Sequence, residues 1–438
     1  MYIHQSTVDF GAPSKTDDAR NAAAKVLSRI RTQLAGGIIM AIVLPGLAVS
    51  QMKLLPIGPA FFDNSFIGAF CALLIGFMMY RKVTALPGAN AILSVVPAFV
   101  MSYGLVIVLF FMLRLEYSRP LFVLSFGFVT TWFMLVLVAI SRLQRPVMSY
   151  VPEGMARDLC RIKSVRWIEV AKPDKIVRGH PMPLVVDLNA AGLSEQWERA
   201  IAEEAVAGRP IFNAKQLNES LSGRVQIEHL SENTFGHLSV DTIYAPAKRY
   251  IDVMFAAIAL VFFAPLMLLL AAIIRIDSRG PAVFRQTRMG YRGQTFTVYK
   301  FRSMRERSPN ADRAADMTQS DDDRITRVGR FIRKTRLDEL PQVLNILKGE
   351  MSWIGPRPEA LRLSEWYENE IAFYRYRHIV RPGITGWAQV KQGHVVDVDD
   401  VKEKLEYDLY YIKHFSVWMD FMIALKTVQV ILTGHGAK

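Results

Sequence analysis

Four long apolar stretches constrain the fold of this chain more than any other feature. They lie near residues 34–50, 65–80, 90–113 and 120–141, and each is close to the ~20 residues that cross a bilayer as a helix. A hydrophobic content of 51% over 438 residues agrees with a membrane protein. We therefore predict a bundle of four transmembrane helices over residues 34–145, preceded by a basic cytoplasmic tail, residues 1–33, that is not a cleaved signal peptide.

The distribution of Lys and Arg around these stretches predicts their orientation. The amino-terminal tail, the Arg81-Lys82 loop and residues 142–166 are rich in cations, whereas the two remaining loops carry fewer. By the positive-inside rule, both ends of the bundle then face the cytoplasm. The apolar stretches contain no Asp, Glu, Lys or Arg, so an anchoring role is favoured over transport.

The net charge of +13 indicates an anionic partner. Phospholipid headgroups and a nucleotide sugar fit the apolar composition, whereas no helix-turn-helix, RNP or zinc-finger pattern supports nucleic acid. Cys71 and Cys160 are the only cysteines and have no CxxC partner, which argues against a disulfide framework or a thiolate metal site.

Residues 146–243 change character. Short β-rich runs (166–170, 184–188, 210–213 and 225–230) alternate with helical ones (193–207 and 214–221), which predicts a small α/β domain with a Rossmann-like order of elements. No glycine-rich phosphate loop follows any of these runs, so we expect no dinucleotide to bind there. Residues 244–438 then form a mainly α-helical domain.

The segment from Val253 to Ile274 is long and apolar enough to cross the membrane, but Pro265 lies in its middle. Two topologies compete: a full crossing, or a re-entrant helix over residues 249–275 that breaks at Pro265 because proline lacks an N–H and clashes with the preceding turn. Cations at both ends favour re-entry, which makes the following domain monotopic on the cytoplasmic side.

Reactive groups converge in the stretch from Arg333 to Glu359. Pro341 suits the first turn of a helix and Gly349 suits its end, so Asp338 and Glu339 lie where free N–H groups favour an ionised carboxylate and a phosphate. An ionised Asp could act as a nucleophile or bind a metal. On the dipeptide alone, a helix-capping pair is the competing interpretation. Cations surround the pair in sequence: Arg330, Arg333, Lys334, Arg336 and Arg357.

Further cations complete this candidate site. A strand over Thr295–Tyr299 ends at Lys300 and Arg302, and Pro356 and Pro358 stiffen the backbone around Arg357. We predict that Lys300, Arg302, Arg333 and Arg357 contact phosphate or nucleotide, against the alternative of surface or capping cations. We expect a cationic surface to continue through Arg375, Arg377 and Arg381. The acidic run Asp321-Asp322-Asp323 is interpreted as a solvated turn.

The chain resembles the bacterial sugar transferase family, the polyprenyl-phosphate hexose-1-phosphate transferases that begin exopolysaccharide and O-antigen assembly. The resemblance is carried by blocks in family order: GPAVFRQTRMG (280–290), TVYKFRSM (297–304), DDRITRVGRFIRKT (322–335), GPRPE (355–359), RPGITGWAQV (381–390) and YDLYYIKHFSVWMD (407–420). The chain departs from the family after GWAQV, where Lys391-Gln392-Gly393-His394 replaces the common Asn-Gly-Arg.

The resemblance implies a two-step transfer at the bacterial inner membrane. Asp338 attacks the sugar-proximal phosphate of a UDP-sugar, UMP leaves, and undecaprenyl phosphate displaces the sugar phosphate from the aspartyl intermediate. Glu339 holds Mg²⁺ against the pyrophosphate. UDP-glucose is the preferred donor and UDP-galactose the second, and a homodimer is one assembly that the middle domain allows.

Two other functions compete with this one. The first is a catalytically silent membrane scaffold for polysaccharide assembly, which the intact Asp338-Glu339 pair disfavours. The second is a polyprenol-linked transporter, which the uncharged membrane helices disfavour.

Overall fold

The computed structural model is mostly helical. It describes residues 15–51, 59–84, 91–143, 146–162, 164–176, 179–180, 182–226, 244–304, 325–392 and 398–433. The acidic run at 321–323 and the His394 end of the divergent loop lie outside the described residues. The chain divides into two compact units, Met1–Ser222 and Gly223–Lys438.

The first unit begins with the helices α1 (Lys15–Ser28), α2 (Ile30–Ile38), α3 (Leu44–Gln51), α4 (Pro59–Thr84), α5 (Ala91–Met112) and α6 (Arg119–Leu143), with a π-helical turn, Ile39–Val43, between α2 and α3. Within the described residues, five segments are long and apolar enough to cross a membrane: Ile30–Ser50, Asp63–Lys82, Ser94–Met112, Arg119–Leu143 and Tyr244–Asp277. The first four coincide with the predicted apolar stretches. A membrane-associated protein is therefore confirmed.

Small polar groups and aromatic rings join these helices. The hydroxyl groups of Tyr103 on α5 and Ser125 on α6 are 2.6 Å apart, and the rings of Phe99 and Phe133 pack at 5.0 Å. Ser65 on α4 accepts a hydrogen bond from the backbone of Ser118 at 2.8 Å. The two hydrogen bonds satisfy polar side chains in an otherwise apolar interior.

A four-stranded parallel sheet follows in the same unit, in the order β2-β1-β3-β4. Its strands are β1 (Val147–Tyr150), β2 (Arg166–Glu169), β3 (Leu184–Val186) and β4 (Ile211–Asn213), and its helices are α7 (Ala156–Leu159), α8 (Glu195–Val206) and α9 (Ala214–Ser222). All three residues of β3 are buried, as expected for a strand covered on both faces. The predicted runs match every strand of this sheet except β1. Most of the predicted run 225–230 lies outside the described residues, and the Rossmann-like assignment stays a prediction.

The second unit combines helices with two small two-stranded sheets. Strands β5 (Val283–Met289) and β6 (Thr295–Phe301) form an antiparallel hairpin, and β7 (Ser352–Ile354) pairs in parallel with β8 (Gly383–Thr385). The helices are α10 (Tyr244–Asp277), α11 (Arg327–Lys334), α12 (Val343–Lys348), α13 (Leu361–Glu370), α14 (Trp387–Lys391), α15 (Val398–Lys413) and α16 (Val417–Thr433).

Helix α10 packs along its length against the rest of this unit. Near its start, Arg249 donates to the carbonyl of Ile346 at 2.6 Å, and Ala256 is buried in a cluster with Ile346. Near its end, Ile274 is buried with residues of β6 and α11. The opposite face of α10 exposes large apolar side chains: Tyr250, Met254, Phe255, Ile258, Val261, Phe262, Leu268 and Ile276. Pro265 lies inside α10, and a break there stays a prediction.

Candidate active site

A tight helical turn presents Asp338 and Glu339. It runs from Leu337 to Gln342 as a 3₁₀ helix, continues into α12, and follows Arg336 in a left-handed conformation with φ 55°. The predicted helix end is confirmed, because Gly349 terminates α12 with φ 89°. The prediction placed Asp338 and Glu339 at the start of an α-helix. They lie instead within the 3₁₀ turn, because Pro341 has no N–H for an α-helical hydrogen bond.

Glu339 is held between two cations. Its Oε1 atom lies 2.7 Å from Nη2 of Arg357 and 3.4 Å from Nζ of Lys300, and only 7% of the residue is exposed. Burial alone would raise the pKa of Glu339, but Arg357 and Lys300 together lower it to about 2. Glu339 is therefore a permanently ionised anion at neutral pH.

The environment of Asp338 differs from that of Glu339. Within the part of the chain that the structure describes, its side chain has no hydrogen bond or ion pair. Burial raises its pKa and the charge of Glu339 adds to that rise, whereas Lys300, Arg357 and Arg333 oppose it. The neighbouring residues thus differ: one carboxylate is fixed by cations, and the other keeps its oxygens available to a ligand.

Lys300 completes the cluster from the end of β6. Burial, together with the nearby Arg357, lowers the pKa of Lys300 to about 8, against the opposing effect of Glu339. Its amino group is therefore mostly protonated at pH 7 and loses its charge as the pH rises through about 8.

A network of backbone contacts fixes the loop that carries Arg357. Gly383 donates to the carbonyl of Pro356 at 2.9 Å, and Gly355 donates to Thr385 at 2.9 Å. The two segments lie so close that a Cβ on Gly383 would stand 2.1 Å from the nitrogen of Gly355. Glycine is required here because no side chain fits between the backbones.

A buried ion pair supports the same loop from behind. Arg377 donates to the carbonyl of Arg357 at 2.9 Å and pairs with Asp408 at 2.8 Å. The expectation that Arg377 extends a surface was wrong, since it is only 3% exposed. Sequence reasoning also missed Asp408; its place among the apolar residues of α15 was the available signal.

Arg302 and Arg333 occupy different positions. Arg302 is buried and donates to the carbonyls of Ser278 at 2.6 Å and Arg279 at 3.1 Å, just beyond the end of α10. Arg333 lies in the last turn of α11, and its positive charge opposes the rise in the pKa of Asp338. The structure thus brings Lys300, Arg333 and Arg357 to the carboxylate pair. The phosphate contacts of all four cations stay predictions.

The carboxylates of Asp338 and Glu339 suit Mg²⁺ that takes its other ligands from water and phosphate. Within the described residues, no group of three or more His, Cys, Asp or Glu side chains could hold a metal ion. Mg²⁺ commonly uses only one or two carboxylates, with water and substrate phosphates as further ligands. Asp338 and Glu339 supply adjacent hard oxygen donors of that kind, so the residues fit a metal that arrives with a phosphate substrate.

Comparison with known proteins decides the family. The pattern described as "Bacterial sugar transferase" matches residues 243–434. A protein of Aeromonas hydrophila named UDP-N-acetylgalactosamine-undecaprenyl-phosphate N-acetylgalactosaminephosphotransferase is 43% identical over 376 residues, covering 86% of this chain and 88% of the relative. The chain belongs to the bacterial sugar transferase family. The predicted family and the prediction of an enzyme that transfers a sugar phosphate are thereby confirmed.

Two further relatives match this transferase over about half its length. Both are named UDP-glucose:undecaprenyl-phosphate glucose-1-phosphate transferase. The protein of Xanthomonas campestris pv. campestris is 40% identical over 51% of this chain and 46% of the relative. That of Caulobacter vibrioides is 44% identical over 43% of this chain and 71% of the relative.

Proposed function

We propose that this transferase moves a sugar-1-phosphate from a UDP-sugar to undecaprenyl phosphate and releases UMP. The relatives' names give the general reaction. The observation that carries the proposal in this chain is the unlike pair of neighbouring carboxylates. Among the described residues Asp338 has no hydrogen-bond or ion-pair partner, while Glu339 is bound by Arg357 and Lys300. A nucleophile needs accessible oxygens, and the pyrophosphate that it attacks needs cations nearby.

The chemistry balances in two displacements. A carboxylate oxygen of Asp338 attacks the phosphorus next to the sugar, the bond from that phosphorus to the bridging oxygen breaks, and UMP leaves with the electron pair. An oxygen of undecaprenyl phosphate then attacks the same phosphorus and releases the Asp338 carboxylate. Lys300, Arg333 and Arg357 offset the charge of the phosphates in both steps. Glu339 would hold Mg²⁺, which would supply further neutralisation of the pyrophosphate when bound.

The placement of α10 supports a monotopic arrangement. One face of α10 packs on the catalytic unit from Arg249 to Ile274, so the helix cannot cross a bilayer far from that unit. Its apolar outer face would lie in the lipid, with the re-entrant break at Pro265 returning the chain to the cytoplasmic side of the inner membrane. A lipid phosphate could then reach Asp338 while its polyprenyl tail stays embedded.

The sugar follows from the relatives rather than from the site. The relative that aligns with most of this chain takes its name from UDP-N-acetylgalactosamine, and the two that align with about half of it take theirs from UDP-glucose. We therefore place UDP-N-acetylgalactosamine beside UDP-glucose and UDP-galactose as donors, for the initiation of exopolysaccharide or O-antigen synthesis.

The test is UMP release by the full chain purified in detergent, with Mg²⁺, undecaprenyl phosphate and each of the three UDP-sugars. Release with one sugar, lost in Asp338→Asn and kept in Asp399→Asn, is expected. Asp399 is a matched control because its carboxylate is exposed and pairs only loosely with Lys402. Donor labelled in the sugar phosphate, added without lipid, should label the protein itself unless Asp338 is replaced.

No release with any donor, from folded protein, would contradict the proposal and favour the silent scaffold. Release that survives Asp338→Asn would remove the aspartyl intermediate while leaving the overall reaction in place.

A further inference from the structure

A cavity lies in the same unit, and neither Asp338 nor Glu339 lines it. Its volume is about 420 Å³, and its walls are the first turns of α10, the turn Tyr291–Gly293 and the segment from Arg375 to Arg381. In the β5–β6 hairpin, Lys300 pairs with Phe284, whereas the cavity lies beyond the pair Met289 and Thr295. At 3.3–3.4 Å per residue, Thr295 lies roughly 17 Å along the strand from Lys300.

The cavity is strongly cationic. Its lining holds five cations, Lys248, Arg249, Arg292, Arg375 and Arg381, and a single carboxylate, Asp252. The imidazole of His378 adds no charge, because burial and the nearby Arg377 lower its pKa to about 3. Lys248 is neutralised by Asp420 at 2.5 Å, and Arg375 lies 3.7 Å from Glu368.

Three guanidinium groups of the lining differ from these two cations: those of Arg249, Arg292 and Arg381. Within the described residues, no carboxylate pairs with Arg249, Arg292 or Arg381. Arg381 donates through Nε to Gly349 at 3.0 Å and lies over the ring of Tyr291 at 4.8 Å. That single bond fixes the guanidinium and leaves its other four N–H groups for a ligand.

Arg249 is fixed by the same turn. It donates to the carbonyls of Ile346 and Leu347 at 2.6 and 3.0 Å, and Arg381 binds Gly349 two residues further on. Two guanidinium groups are therefore positioned side by side before any anion arrives. Such preorganisation lowers the cost of binding, because the side chains are already ordered.

The surroundings indicate which anion the cavity takes. Phe415, Ile379 and Val380 give it an apolar wall, and its volume lies within the ~300–1,000 Å³ of small-molecule sites, larger than a bare phosphate needs. Tyr250 and Ile251, next in the chain after Arg249, are 79% and 43% exposed and begin the apolar face of α10. We propose that this cavity binds the phosphate of an anionic phospholipid headgroup.

The site anchors the amino-terminal end of α10 to lipid. It contributes no group to the sugar-phosphate transfer, and the choice of a lipid rests on the proposed membrane position of α10. The cationic cavity itself does not depend on that position, so a soluble organic phosphate is the alternative ligand that the experiment must separate.

The experiment uses the full chain in a zwitterionic detergent. Short-chain phosphatidylglycerol, short-chain phosphatidylcholine, UMP and inorganic phosphate are titrated separately, and binding is followed by the shift in Tm and by native mass spectrometry. Arg292→Gln and Arg381→Gln each remove one guanidinium group from the cavity, and Arg362→Gln removes one exposed cation elsewhere. The titrations are repeated in an Asp338→Asn background, which keeps lipid binding separate from catalysis.

We expect phosphatidylglycerol to bind, phosphatidylcholine to bind more weakly, and both cavity variants to weaken phosphatidylglycerol binding roughly tenfold, the effect of one charge-assisted hydrogen bond. Arg362→Gln and Asp338→Asn should leave it unchanged. Equal binding by all variants would overturn the site. UMP or phosphate binding that depends on Arg292 and Arg381, without phosphatidylglycerol binding, would overturn the lipid assignment.

Discussion

Arg357 and Glu339 are eighteen residues apart in the chain, yet Nη2 of Arg357 lies 2.7 Å from Oε1 of Glu339. The contact joins the loop that carries Arg357, between Pro356 and Pro358, to the 3₁₀ turn that carries Asp338 and Glu339. The contact immobilises Glu339, whereas no hydrogen bond or ion pair from the described residues holds the oxygens of Asp338.

Replacing Arg357 should cost activity more than stability. Arg357→Gln removes a cation from the proposed pyrophosphate site, so kcat/KM should fall about 10²–10³-fold, as for other groups that stabilise transition-state charge. Arg357→Lys should recover only part of this loss, because an ammonium lacks the planar fork of donors. Steady-state UMP release measures the effect, with Arg362→Gln as the charge-matched control. Wild-type kcat/KM in Arg357→Gln would exclude Arg357 from the site.

Lys300 should impose an alkaline limit on the reaction. Its ammonium is charged below its pKa of about 8, so kcat/KM should fall as pH rises through that value, approaching tenfold per pH unit beyond it. Lys300→Arg keeps the charge at all accessible pH values and should remove this limb from the profile. An unchanged alkaline limb in Lys300→Arg would assign the titration to another group.

A substitution at Arg302 can distinguish a structural role at the end of α10 from the predicted phosphate contact. Its donors to Ser278 and Arg279 satisfy carbonyls where α10 ends, so Arg302→Lys should destabilise the protein by about 2 kcal/mol and leave KM for the UDP-sugar unchanged. Thermal unfolding and KM are measured on the same preparation. A raised KM with an unchanged Tm would instead support the predicted phosphate contact.

Gly383→Ala should be among the most damaging small substitutions in the chain. The added methyl would stand 2.1 Å from the backbone nitrogen of Gly355, and the cost of such overpacking is about 3 kcal/mol. Gly104→Ala is the control, since nothing lies within 4 Å of that position and alanine favours a helix. Denaturant or thermal unfolding should show a loss only for Gly383→Ala. Equal Tm values for the two variants would mean that the loop moves apart freely.

The sequence predicted what periodicity and composition encode. The apolar stretches, three of the four strands of the parallel sheet and the end of α12 at Gly349 were all visible in the chain. Asp338, Glu339, Lys300 and Arg357 were singled out by residue type, but their mutual distances depend on how β6, the 3₁₀ turn and the GPRPE loop pack.

The residues behind the site were harder to predict. Arg377 and Asp408 form their buried pair across 31 residues, and charged residues in sequence normally indicate a solvated surface. Arg302 shows the converse difficulty, because a cation two residues after Lys300 faces the end of α10 instead of the carboxylate pair. Such pairings are set by tertiary contacts that no local pattern records.

The outward apolar face of α10 limits how this enzyme can be made soluble without detergent. That helix belongs to the compact unit that begins at Gly223, and its inner face supplies part of the core around Ile346 and Phe301. Deleting the helices before residue 222 would therefore leave a protein that still demands detergent. Only a redesign of the outer face of α10, with its inner face kept intact, could yield a soluble catalyst.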